Sequence, residues 1–336
     1  MTTYQVTLLP IDETFSTSES ETILETGLQH EYPLPFGCKE GNCGHCSAKL
    51  ESGNIEYKNG IPEALNQSEI DKGKILLCQA NATSDVIITA RLPDKNSAIP
   101  IKTLPCRLLE KELLNTDVIL LRFQLPKKER FEFLPGQYVE LLLPGNKRRA
   151  FSLANLPNGE NIVEFHIRNY DGGLFSEMAF NDLKENSLLR LHGPLGQFTL
   201  DTKSDRPNIM VAGGTGFSPI KSIIEFSIRK NIQRPIHLYW GSRDKAGLYL
   251  HELAEQWAEE HEHINYHPVL SEDTNDWNGK TGWVHEAVIK DFDDLGNYDV
   301  YTCGPPPMIK AVKDSFTENG VDSDRIFSDS FEFASE

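Results

Sequence analysis

Positive charge is in short supply in this chain. Its 336 residues hold 33 Lys and Arg against 50 Asp and Glu, a net charge of −17. Phosphate backbones and anionic lipid are gripped by clustered bases, so nucleic acid and membrane are not the expected partners. Long apolar runs are also missing. The longest, such as 138–144, are strand-sized, far below the roughly 20 residues that cross a bilayer. The N-terminal segment has neither the basic start nor the apolar stretch of a secretory signal, which makes the cytoplasm the expected setting. Cysteine is sparse, six in all, and in a reducing compartment such residues serve as ligands or reactive groups rather than disulfides. Internal repeats and low-complexity tracts are absent.

What is present is an ordinary globular composition, 39% apolar and 25% charged, at a length that implies two or three domains. Residues 1–92 carry 13 acids against 6 bases. That excess is either a solvated surface or one that steers a basic partner. Residues 93–103, rich in Pro, Asn and Ser without amphipathic period, read as a linker. Residues 104–203 give β-type runs at 118–125, 138–143, 162–168 and 188–192, broken by Pro and Gly, which suggests an antiparallel barrel. From 204 to 336 strands alternate with helices. Runs at 209–212, 236–240 and 298–302 read as strands, while 217–230, 248–257 and 308–316 have helical period, the pattern of a doubly wound α/β domain.

Three cysteines share one glycine-rich loop. Cys38, Cys43 and Cys46 follow C-x4-C-x2-C, and Cys78 comes thirty-two residues after Cys46. A 2Fe–2S cluster needs four thiolates, and one loop can supply three of them. Gly37, Gly41 and Gly44 allow the tight turns. Structural zinc favours paired C-x2-C knuckles, and buried free thiols are the plainest alternative. The spacing resembles that of plant-type ferredoxins, which implies a β-grasp fold for residues 1–92 with Cys78 reaching in from the far side.

Further motifs follow in order. Arg149-Ala150-Phe151-Ser152 follows the strand expected at 138–143, Gly173-Leu174-Phe175-Ser176 opens an expected helix, and Gly193-Pro194-Leu195-Gly196 follows. Gly213-Gly214-Thr215-Gly216-Phe217-Ser218-Pro219 joins a strand to a helix as G-x-G-x-x-P, where Pro suits the first turn. Cys303-Gly304-Pro305-Pro306-Pro307-Met308 does the same later. Together these resemble the ferredoxin–NADP reductase family. On that resemblance Arg149 pairs with the FAD pyrophosphate, Phe151 faces the flavin ring in place of the commoner Tyr, and Ser152 bonds near the flavin N5. Gly173 to Ser176 offer amides and a hydroxyl to phosphate. His166, Ile167 and Arg168 are counted among the cofactor-binding residues. The 213–219 loop and Gly304, Pro305 and Met308 hold the nucleotide, and Cys303 orients the nicotinamide without acting as a nucleophile. Phe331, with Phe333 second, covers the other flavin face.

Gly241, Ser242 and Arg243 stand where the ribose 2′ position would lie. Arg243 could bind a 2′-phosphate and Asp244 would repel one, so NADH is the expected donor, with NADPH open. His251, His261, His263 and His267 read as surface and loop residues rather than a metal set. The order of domains resembles the reductase components of phenol hydroxylase, benzoate dioxygenase and methane monooxygenase, and the reductase of CDP-6-deoxyhexose biosynthesis. The implied activity is electron transfer from NAD(P)H through FAD and the 2Fe–2S cluster to an acceptor protein, an oxygenase, hydroxylase or dehydratase, by a monomer. A stand-alone flavin or quinone reductase, and a non-catalytic redox carrier or sensor, are the other readings.

Overall fold

The computed structural model describes residues 2–32, 34–37, 39–42, 44–90, 92, 99–272 and 277–331. The chain divides into two compact units, 1–99 and 100–336.

In the first unit, β1 (Thr3–Leu9), β2 (Glu13–Ser18), β3 (Ser47–Ser52), β5 (Lys74–Leu76) and β7 (Val86–Ala90) form one sheet in the order β2-β1-β7-β3-β5. A small ladder pairs β4 (Ile55–Glu56) with β6 (Asn81–Ala82). β1 and β7 run parallel, so the chain must cross between them, and α1 (Ile23–Gln29) lies on that route. Thr22 and Glu25 start α1 with a reciprocal capping box, each satisfying an amide the first turn leaves open. Val6, Leu8, Phe15, Ile23, Leu24 and Ile88 pack as the core. This mixed sheet with one crossing helix is the expected β-grasp. A second short helix, α2 (Gln67–Asp71), lies at the surface.

The second unit begins with a six-stranded antiparallel sheet. Its strands are β8 (Lys102–Leu113), β9 (Val118–Gln124), β10 (Tyr138–Leu143), β11 (Lys147–Ser152), β12 (Ile162–Arg168) and β13 (Leu188–Leu195). Their order is β11-β10-β13-β8-β9-β12, which makes β11 and β12 the edges. β8 starts at Lys102, inside the stretch read as linker, because Lys102 and Thr103 already pair with Gly193 and His192. Of that stretch, residues 93–98 lie outside the described residues. Alternate residues Val163, Phe165 and Ile167 of β12 enter the barrel core beside Leu121, Phe123 and Leu141.

The chain then enters a parallel sheet: β14 (Asn208–Gly213), β15 (Ile236–Ser242), β16 (Ile264–Leu270), β17 (Lys280–Thr281), β18 (Asp299–Gly304) and β19 (Ile326–Ser330). The order β17-β16-β15-β14-β18-β19 puts a topological switch at β14. Chains that wind this way open a ligand crevice at the carboxyl end of the switch strand. Helices α4 (Phe217–Arg229), α5 (His251–Glu260), α6 (Val284–Asp291) and α7 (Pro306–Glu318) complete the lobe. The helix read at 248–257 starts only at His251. Tyr249 is drawn inward by its ring and hydroxyl, which leaves 248–250 outside the helix. The described residues include no helix long and apolar enough to cross a membrane.

Candidate active site

β10 and β11 pair in register, Leu141 opposite Arg149 and Tyr138 opposite Ser152. Alternation along β11 puts Arg149 and Phe151 on one face and Ser152 on the other. Phe151 packs at 4.8 Å from the Phe175 ring and 6.2 Å from Phe165. Arg149 donates only to the neighbouring Arg148 carbonyl at 2.9 Å, and among the described residues it has no ion-pair partner. A half-exposed guanidinium left this way suits an anionic ligand. A groove lined by Leu143, Pro144, Lys147, Leu174, Glu177 and Met178 lies between β11 and α3 (Leu174–Glu177). Ala150 is exposed.

The helix expected after Gly173 is a single α turn that passes into a wider turn over Met178–Asp182. The Ser176 hydroxyl is spent locally, accepting the Tyr170 amide at 3.2 Å and sharing its one proton between the Tyr170 and Gly173 carbonyls, each at 3.1 Å. It therefore anchors the turn, and the backbone amides are what this segment can offer. Two other expected cofactor residues are also turned elsewhere. Ile167 is buried in the barrel core. Both ring nitrogens of His166 are engaged by protein groups, Glu164 and Tyr249.

At the switch strand, Gly213, Gly214, Thr215 and Gly216 form a tight turn into α4, with Pro219 in its first helical turn. A Cβ on Gly216 would stand 2.0 Å from the Cys303 carbonyl oxygen, and one on Gly213 would stand 2.6 Å from the Met308 sulfur. Only glycine lets these backbones approach so closely. The Ser218 hydroxyl is 3% exposed and has no partner among the described residues. A buried hydroxyl needs an acceptor or donor, and beside the N-terminus of a 13-residue helix a phosphate supplies one. These residues fit a dinucleotide. The Arg168 guanidinium lies over Gly214, where an added Cβ would meet it at 2.8 Å, and its Nε is 3.1 Å from Asp117. At the end of β15, Gly241 and Ser242 are half-buried and Arg243 is exposed. Asp244 accepts the Gly247 amide at 2.9 Å.

One carboxylate brings together groups from both halves of the unit. The Ser152 hydroxyl is 3.4 Å from Asp329 Oδ2, and the Cys303 sulfur is 4.0 Å from the same oxygen. β18 and β19 are parallel neighbours with Cys303 opposite Asp329. Burial first, and Asp329 second, push the Cys303 thiol well above its ordinary range. It stays protonated at neutral pH, which makes it a poor nucleophile. Sequence reasoning passed over Asp329, which lies 177 positions from Ser152. The β18–β19 register, not the linear sequence, places it opposite Cys303. Phe331 extends β19, its amide donating to the Gly304 carbonyl at 3.0 Å, and its ring packs on the nucleotide-lobe core. Phe333 lies outside the described residues.

The four histidines scatter. His251 meets Tyr266 at 3.0 Å, His261 and His263 have ring centres 5.9 Å apart, and His267 stacks on Tyr239. Cys106 is a core thiol pushed up to about 12 by burial.

In the first unit, Ser47 pairs with Leu76 across β3 and β5. That register brings Cys46, just before β3, beside Cys78, just after β5. Their sulfurs are 3.1 Å apart, and both side chains are buried. Two converging thiols at this separation suit ligands of one metal centre. Cys38 and Cys43 lie outside the described residues.

Three family profiles match the chain: a 2Fe-2S iron-sulfur cluster binding domain over residues 6–83, an oxidoreductase FAD-binding domain over 105–200, and an oxidoreductase NAD-binding domain over 210–314. Among curated relatives, the CDP-6-deoxy-L-threo-D-glycero-4-hexulose-3-dehydrase reductase of Yersinia pestis is 38% identical over 326 residues, 97% of this chain and 98% of the relative. The reductase component of phenol 2-monooxygenase from a Pseudomonas strain is 33% identical over 332 residues, 98% and 94% of the two chains. A solved ferredoxin reductase in carbazole 1,9a-dioxygenase superposes with a TM-score of 0.69 at 27% identity, covering 98% and 99%.

Proposed function

The chain belongs to the FAD-containing NAD(P)H-dependent reductases that carry a 2Fe–2S ferredoxin domain, and from that premise we propose how its residues divide the work and whom it serves. The family activity is electron transfer from a reduced nicotinamide by way of FAD and the cluster. When bound, the flavin accepts electrons in pairs and releases them singly, while the cluster carries one at a time.

The residues act as holders. Arg149 grips the FAD pyrophosphate, and the groove beside α3 takes the rest of the nucleotide. The Gly213–Gly216 amides and the Ser218 hydroxyl hold the nicotinamide dinucleotide phosphates. Cys46 and Cys78, with Cys38 and Cys43, hold the cluster. Ser152 hydrogen-bonds the flavin edge and is itself oriented by Asp329. The protonated Cys303 thiol borders the nicotinamide, and Phe331 shields the flavin face until the nicotinamide displaces it.

The observation that carries this reading is the convergence of Ser152 and Cys303 on the Asp329 carboxylate, one from the barrel and one from the nucleotide lobe. NADH is the preferred donor, because Asp244 at the end of β15 would repel a 2′-phosphate and no basic cluster follows Arg243 in the sequence. The higher identity to the dehydrase reductase supports a dehydratase of a CDP-6-deoxy sugar as electron acceptor, ahead of an oxygenase. We propose a monomer working in the cytoplasm.

The test is anaerobic stopped-flow mixing with NADH and then NADPH, following the flavin and cluster bands. Flavin bleaching followed by cluster bleaching, faster with NADH, is the expected result. A flavin that neither nucleotide bleaches would sink the assignment. Cluster reduction that fails to reach a purified sugar dehydratase would remove that acceptor.

A further inference from the structure

Alternation along β12 sends Glu164, His166 and Arg168 away from the barrel core and toward the nucleotide lobe. Each meets a different part of it. Glu164 lies 3.5 Å from Lys221 of α4, His166 lies 3.1 Å from the Tyr249 hydroxyl, and Arg168 lies over Gly214.

The His166 side chain has no exposed surface, and its bonding leaves one consistent arrangement. Burial opposes the charge on Glu164, but the His166 hydrogen bond and the Lys221 and Arg122 charges outweigh it and hold the carboxyl down to about 2. An ionised carboxylate can only accept, so His166 Nε2 donates to it across 3.2 Å. Burial holds His166 below its ordinary range despite Glu164, so the ring is neutral. Its Nδ1 then accepts, and Tyr249 donates.

Tyr249 carries the contact onward. Its ring stands edge-on to Trp240 at 5.2 Å and 87°, and to Phe217 at 6.3 Å and 79°. Trp240 and Phe217 stack at 3.8 Å, and the Trp240 indole donates to the Gly214 carbonyl at 3.0 Å. Elsewhere on the seam, Lys221, Ser222 and Arg229 of α4 donate to the Ala154, Asn155 and Pro157 carbonyls, and Asn115 donates to the Ala246 carbonyl at 2.8 Å. The Arg168 guanidinium reaches the glycine loop directly at Gly214, and the His166–Tyr249 bond reaches it through the Trp240 ring.

We propose that His166 is a positioning residue that fixes the Gly213–Gly216 loop relative to the barrel, through the Tyr249 hydroxyl and the Trp240 indole. It thereby sets how tightly the loop seats the pyrophosphate of the nicotinamide nucleotide. The side chain touches no reacting atom. This rests on the reading of the loop as the nucleotide site.

ADP-ribose, which carries the pyrophosphate and lacks the nicotinamide, separates the two claims. Its binding is measured by calorimetry on FAD-loaded wild type, His166→Phe, Tyr249→Phe and the double variant. Removing one buried hydrogen bond is expected to weaken binding about tenfold in each single variant. The double variant should be no weaker than the singles, since the residues act as one unit. Flavin content should be unchanged throughout. Wild type that fails to bind ADP-ribose defeats the nucleotide reading and the proposal with it. Wild-type binding with Tyr249→Phe equally tight, whatever its melting temperature, overturns the proposal alone, as do losses that simply add. Tyr249→Phe removes a single hydroxyl and decides the matter if His166→Phe does not fold.

Discussion

Ser152 on β11 and Asp329 on β19 stand 3.4 Å apart, hydroxyl to carboxylate, across the seam of two differently built halves. The barrel supplies the donor and the nucleotide sheet supplies the acceptor. Orientation of the hydroxyl therefore depends on both halves being correctly docked.

Replacing Asp329 by Asn keeps the side-chain size and removes the charge that orients Ser152. Positioned polar groups of this kind contribute roughly 100-fold to proton- and charge-transfer steps. The rate of flavin bleaching by NADH should fall toward that extent, with the NADH dissociation constant within about threefold. Stopped-flow traces at several NADH concentrations separate the two. An unchanged limiting rate would mean the carboxylate only packs.

Cys78→Ser removes one of two buried thiols in a unit with its own core. Purified variant should lose the visible absorption of the cluster and its iron. FAD content and flavin bleaching by NADH should remain near wild type, because Arg149, Ser152 and the glycine loop belong to the other unit. Loss of the flavin together with the iron would show that the two sites do not stand alone.

Gly216→Ala sets a methyl 2.0 Å from the Cys303 carbonyl oxygen, where no side chain can rotate away. Overpacking of backbone on backbone should cost about 3 kcal/mol and abolish nucleotide binding. Gly159→Ala is the control. Its φ is +73° and its surroundings are open, so only the left-handed backbone strain of ~1 kcal/mol applies. Denaturant midpoints compare the two.

Acid should loosen the nucleotide lobe before it protonates the carboxylates. Burial, partly opposed by Asp291, holds His267 down to about 4, whereas the unfolded chain titrates near 6.5. Between those values the unfolded state binds the extra proton, so stability is lost as pH falls from 6.5 to 4. After discounting for partial exposure the loss is about 2 kcal/mol. His237 shifts in the same direction through burial. Urea midpoints at pH 7 and pH 4.5 test this, and His267→Phe should flatten most of the slope. A variant with the wild-type slope would assign the acid sensitivity elsewhere.

Motifs built from neighbouring residues were legible in the sequence. The Cys38–Cys46 spacing and the Gly213–Pro219 turn are local, and so was the strand–helix alternation after residue 204. Relationships made by sheet order were not. Asp329 gains its meaning only because β19 lies parallel beside β18, and His166 only because Tyr249 comes to meet it from 83 positions away. The Ser176 hydroxyl looked available for phosphate because a linear motif does not reveal that a one-turn helix uses its own side chain to close. The 248–257 stretch has helical period, yet Tyr249 lies before the helix, its ring edge-on to Trp240 and its hydroxyl bonded to His166.

The Trp240 indole is stacked on Phe217 and hydrogen-bonded to the Gly214 carbonyl, and this has an optical consequence. A ring bonded to a loop carbonyl changes its ultraviolet emission when that carbonyl moves. Among the described contacts, Trp240 is the tryptophan whose indole donates to the glycine loop, whereas Trp277 donates to Lys280. A nucleotide that shifts this carbonyl on seating is therefore expected to change the Trp240 emission, a readout that needs no attached dye.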